Sequence, residues 1–514
     1  MLEMKNRVSI AIGLLVFLSA CTSHFDALNI DPNNPTKVSS QSIMLQVQRS
    51  TARALLDDNN IFAILNWVQY TAPQGYQEQP YEFNWNTDAT FNACAAALRD
   101  LEMLRKQAVA DNHVNYEAIA MVMKVWVFAN LTDLYGDVPY SEALKGVEGV
   151  LYPKYDAQRS IYADMVQSLK EAAAKMDVLQ LTATVDGDSD IFCQGDMLKW
   201  KKFANSLRAR LYLRMAESDD AQARAGLEEI FADSVAFPVI SGNAQNVGIA
   251  FIAETDGPNS NYWVRRARSG TLSAVSTTVV DLLCKNDDPR RTVLLNPTKA
   301  SLDSVAAGKW TEYVYRGIPP VINNPFTSFS INEVSTVGDA ISLDYFRPID
   351  ILTYAEVLFI RAEAATKGYD VGNAKEDYEA GIAASMEKWG VSDPDRIDAY
   401  IHGPFAAYDA AKGAEQIVTQ RYIEQFHQAC NTFALIRRSG FPQLGWIGLG
   451  FALENGFPDR MPYAFNMRRE PGFADVADQP TLNLWGNVWF AQETPTVHTA
   501  PGYKAPVIYQ FADK

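Results

Sequence analysis

Hydrophobic residues return at helical spacing in long stretches toward both ends of this chain and lose that rhythm in the middle. Between residues 114 and 134, Ile119, Met123, Trp126, Val127, Asn130, Leu131 and Leu134 share one stripe, the period of a helix packed along one side. Residues 158–176 repeat the pattern through Ile161, Met165, Leu169 and Ala172. In 196–216 the expected packed positions are Leu198, Phe203, Leu207, Leu211 and Tyr212, with the interspersed Lys and Arg reaching solvent. Gly195 and Asp196 stand where that helix needs a cap. Further helices are predicted near 41–58 and 91–108. The rhythm returns over 351–368, where Gly368 suits a C-terminal cap, and over 374–390, where Asn373 suits an N-terminal cap. It continues across 413–439.

Residues 233–350 break the pattern. They are rich in Gly, Pro, Asn and Ser and hold only short β-prone runs such as TEYVYRG, which predicts an irregular insert with small strands. Helices in adjacent pairs on either side predict αα-hairpins stacked as a curved solenoid, with scaffold over 41–232 and 351–439. No strict repeat of about 34 residues can be read, so the repeats are degenerate. The tail, 440–514, is rich in Gly, Pro and Trp and is expected to lie over the surface.

The N-terminus carries a different message. Lys5 and Arg7 precede an apolar run from Val8 to Leu18, then Ser19, Ala20 and Cys21. That is a signal peptide over 1–20, too short in its apolar part to span a bilayer. Leu18-Ser19-Ala20-Cys21 has the form of a bacterial lipobox, which makes Cys21 the lipid anchor and 21–40 its tether. The formal charge is −16 with no basic block, which argues against nucleic acid as a partner. Cys94, Cys193, Cys284 and Cys430 are too widely spaced for a disulfide framework, and no CxxC suggests zinc.

Two sets of carboxylates invite a catalytic reading. Asp133 and Asp137 flank the helix exit in NLTDLYGDVPYSEAL, but Gly136 interrupts the helix between them and Pro139 holds Val138 extended. Asp137 is better placed to accept backbone amides at the corner. Glu356 and Glu363 share a helical face with Arg361 nearby, where polar ties between helices explain them more simply than catalysis.

Several segments, in order, resemble the SusD/RagB family of outer-membrane nutrient-binding lipoproteins, particularly its second SusD-like branch. They are the lipobox, DPNNPT (31–36), FANLTDLYGDVPYSEAL (128–144), YPKYDAQRSIYADMVQSLKEA (152–172) and GDMLKWKKFANSLRARLYLRMA (195–216). DDPR (287–290), TYAEVLFIRAEAATKG (353–368), YEAGIAASMEKWGV (378–391) and RRSGFP (437–442) complete the series. The resemblance implies one mainly α domain over 41–514. Its tetratricopeptide-like helix pairs would form a right-handed superhelical scaffold with a large loop-rich insertion and short strands. It also implies a surface lipoprotein of the outer membrane that caps a TonB-dependent transporter and delivers a glycan without catalysis. The alternatives are a peptide receptor on the same scaffold and, more remotely, a surface glycoside hydrolase.

Sugar rings stack their C–H faces on aromatic rings while their hydroxyls demand short polar groups nearby. Trp67, Tyr76, Tyr81 and Trp85, interleaved with Gln77, Gln79, Asn84 and Asn86, meet that demand best. Asn261, Tyr262, Trp263, Arg265 and Arg266 form a second candidate group, with Trp310 and Tyr313 further on. No cofactor is implied. Asp186, Asp188 and Asp190 resemble the opening of a calcium loop, but Gly is missing at the sixth position and Glu at the twelfth. The glycines of 445–456 lack both the spacing and the βαβ frame of a nucleotide site.

Overall fold

Side-chain caps set where many of the helices begin. Ser39 accepts from the Ser42 amide at the start of α1 (Ser40–Ala52), and Asp196 accepts from the Lys199 amide at the start of a later helix. The computed structural model describes residues 38–57, 64–72, 88–249, 251, 261, 264, 274–319, 330–444, 458–476, 488–491 and 507–513. After α1 come α2 (Asp88–Ala110), α3 (Val114–Tyr135), α4 (Gln158–Lys175), α5 (Met197–Met215) and α6 (Asp220–Ala232). Each packs on its successor, and the Lys175–Glu117 ion pair at 3.1 Å joins the end of α4 to the start of α3. These are the stacked αα-hairpins expected of a solenoid. By length and composition α3 could cross a membrane. It is instead a core helix, buried on nearly all sides and packed by α2 and α4, as an all-round apolar helix must be.

The insert carries α7 (Thr277–Cys284) and several short helices and strands. The second helical block holds α8 (Tyr354–Thr366), α9 (Ala374–Trp389), α10 (Pro394–Ile401), α11 (Gly413–Glu424) and α12 (Ala429–Ser439). Asn373 caps α9 through the amides of Lys375 and Glu376, and Gly368, just past α8, has a φ of +77°. The helix expected across 413–439 is two helices, broken at Gln425–Gln428.

The strands are short. They are β1 (Thr71–Ala72), β2 (Val138–Pro139), β3 (Tyr155–Asp156), β4 (Val247–Ile249), β5 (Ala274–Val275), β6 (Leu295–Asn296), β7 (Tyr313–Tyr315), β8 (Thr336–Val337), β9 (Ile349–Leu352) and β10 (Tyr509–Phe511). One sheet has the order β1-β5-β8-β6, and the pairs β2–β3, β4–β9 and β7–β10 stand apart. Ile351 and Leu352 thus belong to a strand, not to the start of the helix their apolar run suggested. Thr353 separates the two by capping α8.

Three expectations about packing are corrected. Leu198 is exposed, whereas Arg208, Arg210 and Arg214 on the same helix are buried. Arg210 makes a forked pair with Glu356 of α8 at 2.8 and 2.6 Å, and Arg421 of α11 reaches the same carboxylate at 2.7 Å. Arg214 pairs with Asp133 of α3 and donates to Asn431 of α12 at 2.6 Å. Arg438 meets Glu363 at 2.6 Å. Arg210 and Arg214 tie the first helical block to the second through the interior, while Arg438 and Glu363 join two helices of the second. Burial alone would raise the Glu356 carboxyl, but Arg210 and Arg421 reverse that and hold it down at about 2. Finally, described parts of the tail are core: Met461, Tyr463, Met467 and Phe490 are buried.

The corner after α3 is structural. Gly136, at φ +89°, donates its amide to Thr132 O at 2.8 Å and lets the chain turn out into β2. Asp137 accepts from the Gln158 amide at 2.8 Å and so holds the start of α4. Asp133 is buried against Arg214 and Tyr162. The tail closes over this corner, with Met461 N donating to Leu134 O and Tyr463 Oη to Asp137 O.

Candidate ligand-binding site

The first candidate segment enters through a rigid foot. Trp67 is fully buried with its ring 5.5 Å from Phe433 of α12, so it is core and not a ligand platform. Tyr70 stacks near Tyr422 and Phe426 and donates to Tyr422 O at 2.5 Å, while Tyr422 Oη returns a bond to Val68 O at 2.8 Å. Rings interleaved with polar residues looked solvent-facing because their partners lie hundreds of positions downstream. Tyr76, Gln77, Gln79, Tyr81, Asn84, Trp85 and Asn86 lie outside the described residues.

That foot ends in β1, and β1 pairs with β5, with Thr71 opposite Val275 and Ala72 opposite Ala274. Ala72 is where the first candidate segment leaves the sheet, and Ala274 is where the segment containing the second group returns to it. Ala72, Ala274, Ile318 and Val334 make one small apolar cluster. Ile318 N donates to Val275 O, Thr277 N to Ile318 O, and Ser335 N to Arg316 O, each near 2.9 Å. Gly317 is required here: a Cβ would stand 2.5 Å from the Thr277 backbone. The run leading to it includes Trp310, nearly half exposed, and Tyr313 on β7. One sheet edge therefore gathers the anchors of both aromatic, polar segments.

Within the second group, Asn261 is buried and its amide donates to Arg347 O at 2.9 Å, so it braces the fold. Tyr262, Trp263, Arg265 and Arg266 lie outside the described residues, as does Cys21.

Two of the three carboxylates in the calcium-like run have structural duties. Asp190 is buried and accepts from Gln48, from the amides of Phe192, Cys193 and Gly195, and from Trp200 Nε1 at 2.7 Å. Asp186 caps a turn through Ser189, and Asp188 is exposed. Among the described residues no group of three His, Cys, Asp or Glu side chains could hold a metal ion. Cys94, Cys193, Cys284 and Cys430 are buried thiols, none joined in a disulfide. A cleft of about 410 Å³ lies between the ends of α8, α11 and α12. Two of its cations answer to its own carboxylates, Lys367 to Glu217 and Arg438 to Glu363, both at 2.6 Å. It lacks the crowd of rings a sugar needs.

A family model described as "Starch-binding associating with outer membrane", SusD-like type 2, matches residues 32–464. The chain belongs to the SusD-like family. No curated protein matches it. Among solved structures, a chitin-binding protein is 25% identical with a TM-score of 0.74, covering 88% of this chain and 99% of its own. A Bacteroidetes SusD-like protein is 23% identical with a TM-score of 0.73, over 89% of this chain and all of that one. A chitin-binding SusD homologue from Flavobacterium johnsoniae is 19% identical, with a TM-score of 0.74 over 88% of this chain and all of its own. The mainly helical, tetratricopeptide-like architecture is thus that of SusD-like proteins.

Proposed function

We propose that this SusD-like protein is a non-catalytic carbohydrate receptor on the outer face of the outer membrane, held there through Cys21. It passes oligosaccharide to a TonB-dependent transporter. The family match over residues 32–464 carries the reading. The pairing of β1 with β5, after which the first segment leaves the described fold and before which the second rejoins it, supports a location for the site. Tyr76, Tyr81 and Trp85 would stack on sugar faces, with Gln77, Gln79, Asn84 and Asn86 meeting hydroxyls. Tyr262, Trp263, Arg265 and Arg266 would line the other side. The carboxylates that invited a hydrolase reading are occupied: Asp133 by Arg214, Asp137 by the start of α4, and Glu356 and Glu363 by arginines.

The 25% identical chitin-binding protein makes chito-oligosaccharides the first ligands to try, with starch oligosaccharides and peptides beside them. Calorimetric titration of residues 22–514 is expected to show saturable binding to an oligosaccharide whose mass is unchanged after incubation. Binding to peptides alone, or the appearance of shorter sugars, would overturn the proposal. The receptor needs no cofactor in this reading, so added calcium and EDTA should leave the affinity unchanged.

A further inference from the structure

We propose that the pole of the scaffold from which the N-terminal tether leaves is a lipid-contact surface, with Leu179 and Leu181 at its tip. This rests on the lipid-anchor reading of Cys21 and assigns a face of the fold to the bilayer.

The pole is where α1 begins, α2 ends, α3 begins and α4 ends. Gln107, near the end of α2, donates to Val38 O at 3.1 Å and Ser40 Oγ at 3.0 Å, fixing the point at which the described chain starts. The turn after α4 is fastened to the same place. Asn115 Nδ2 donates to Asp177 O at 3.0 Å and Ala183 O at 2.6 Å, and Asn115 Oδ1 accepts from Asp177 N at 2.8 Å. Asp177 accepts from the Thr182 amide, and Gln180 Nε2 donates to Gly195 O, both at 2.8 Å.

This well-bonded turn nevertheless presents Leu179 and Leu181 to solvent at 77% and 79% exposure. Val38, Val109 and Leu198, each roughly half exposed, belong to the elements around it. A lone exposed leucine needs no explanation. Several branched aliphatic side chains at one end of the scaffold, on backbone held by its own hydrogen bonds, mark a contact surface.

The tether selects the occupant. Cys21 lies seventeen positions before Val38 (38 − 21), and in the tether reading a random coil of that length would span about 20–25 Å on average. The 22-residue helix α3 runs from this pole to the opposite one, a length of about 33 Å. An acylated Cys21 therefore keeps this pole nearer the bilayer than the far one. The side chains are aliphatic, which suits acyl chains and not the ring-stacking that sugars use. With a net charge of −16 the protein gains no general attraction to an anionic surface, so contact has to come from apolar insertion.

The test holds residues 22–514 by an N-terminal hexahistidine on phosphatidylethanolamine/phosphatidylglycerol vesicles containing a nickel-chelating lipid. An environment-sensitive dye is placed on Leu181→Cys and, on the exposed turn that follows α3 and β2, on Val147→Cys. The native thiols of this fragment are buried and stay unlabelled. The expected result is a blue shift and quenching by brominated acyl chains at position 181, neither at 147, and loss of both at 181 when Leu179→Asp is added. Unchanged emission at 181 on the vesicles would overturn the proposal. So would a photo-crosslinker at 181 of the full chain that captures a protein, and no lipid, in native membranes. Because the hexahistidine holds the chain without acylation, failure of the anchor reading shows separately, as the absence of acyl mass on Cys21.

Discussion

Replacing Glu356 by Gln tests whether the buried charges hold the two helical blocks together. The substitution keeps the shape of the side chain and removes the charge that answers Arg210 and Arg421, both buried. Leaving buried charge uncompensated costs about 3–5 kcal/mol. A second route gives a similar size. The Glu356 carboxyl sits at about 2 in the fold against 4.5 ordinarily, a difference worth about 3 kcal/mol at roughly 1.4 kcal/mol per pH unit. The residues from Cys21 onward number 494 (514 − 20). At about 2.1 cal/mol/K per residue, their unfolding entropy is about 1 kcal/mol/K, so Glu356→Gln should lower Tm by about 3–5 °C at pH 7. The sign with pH follows from the depressed carboxyl. Its contribution is complete above about pH 4.5 and is lost as the pH falls toward 2, so the Tm gap between the two proteins should close over that window. Differential scanning calorimetry from pH 7 to 2.5 reads both effects. A gap below about 1 °C at pH 7, or one that stays constant into acid, would refute the reasoning.

Trp67→Ala should cost about 3–5 kcal/mol through the cavity it leaves, whereas Tyr81→Ala with Trp85→Ala should weaken glycan binding at least about tenfold at unchanged Tm. Calorimetry and titration on the same samples separate these effects, and a binding loss confined to Trp67 would reverse the assignment. Gly317→Val should loosen the β1–β5 edge, because its Cβ would meet the Thr277 backbone. The expected signs are faster proteolysis near residue 318 and weaker glycan binding, with helical circular dichroism retained. Cys94, Cys193, Cys284 and Cys430 should all resist a thiol reagent in the native protein and react after unfolding in guanidinium; rapid native labelling of any one would contradict its burial.

Much of the helical scaffold was legible because amphipathic spacing and caps are local. Ile161, Met165, Leu169 and Ala172 are buried as their stripe requires, and Asn373 and Asp196 cap the helices they precede. Glu356 and Glu363 are ties between helices, as their shared face suggested. The site was legible only as composition. Nothing local distinguishes Trp67, locked beneath Phe433, from a ring further along the same segment, or marks Asn261 as a brace. The ordered run of segments from DPNNPT to RRSGFP pointed to the family, and those within the described residues record turns, caps and buried pairs, as at Gly136, Asp196 and Arg438.

By itself, then, the sequence determined most of the helices, several of their caps and the family to which they belong, since these follow from spacing, caps and turn residues within reach of one another. Only the tertiary structure decided the burial of Arg210 and Arg214, the joining of the tail to the core, and the meeting of two distant segments at the β1–β5 edge. A guanidinium is soluble or structural according to the carboxylate opposite it. For Arg210 that carboxylate stands 146 residues away, where no local pattern can see it.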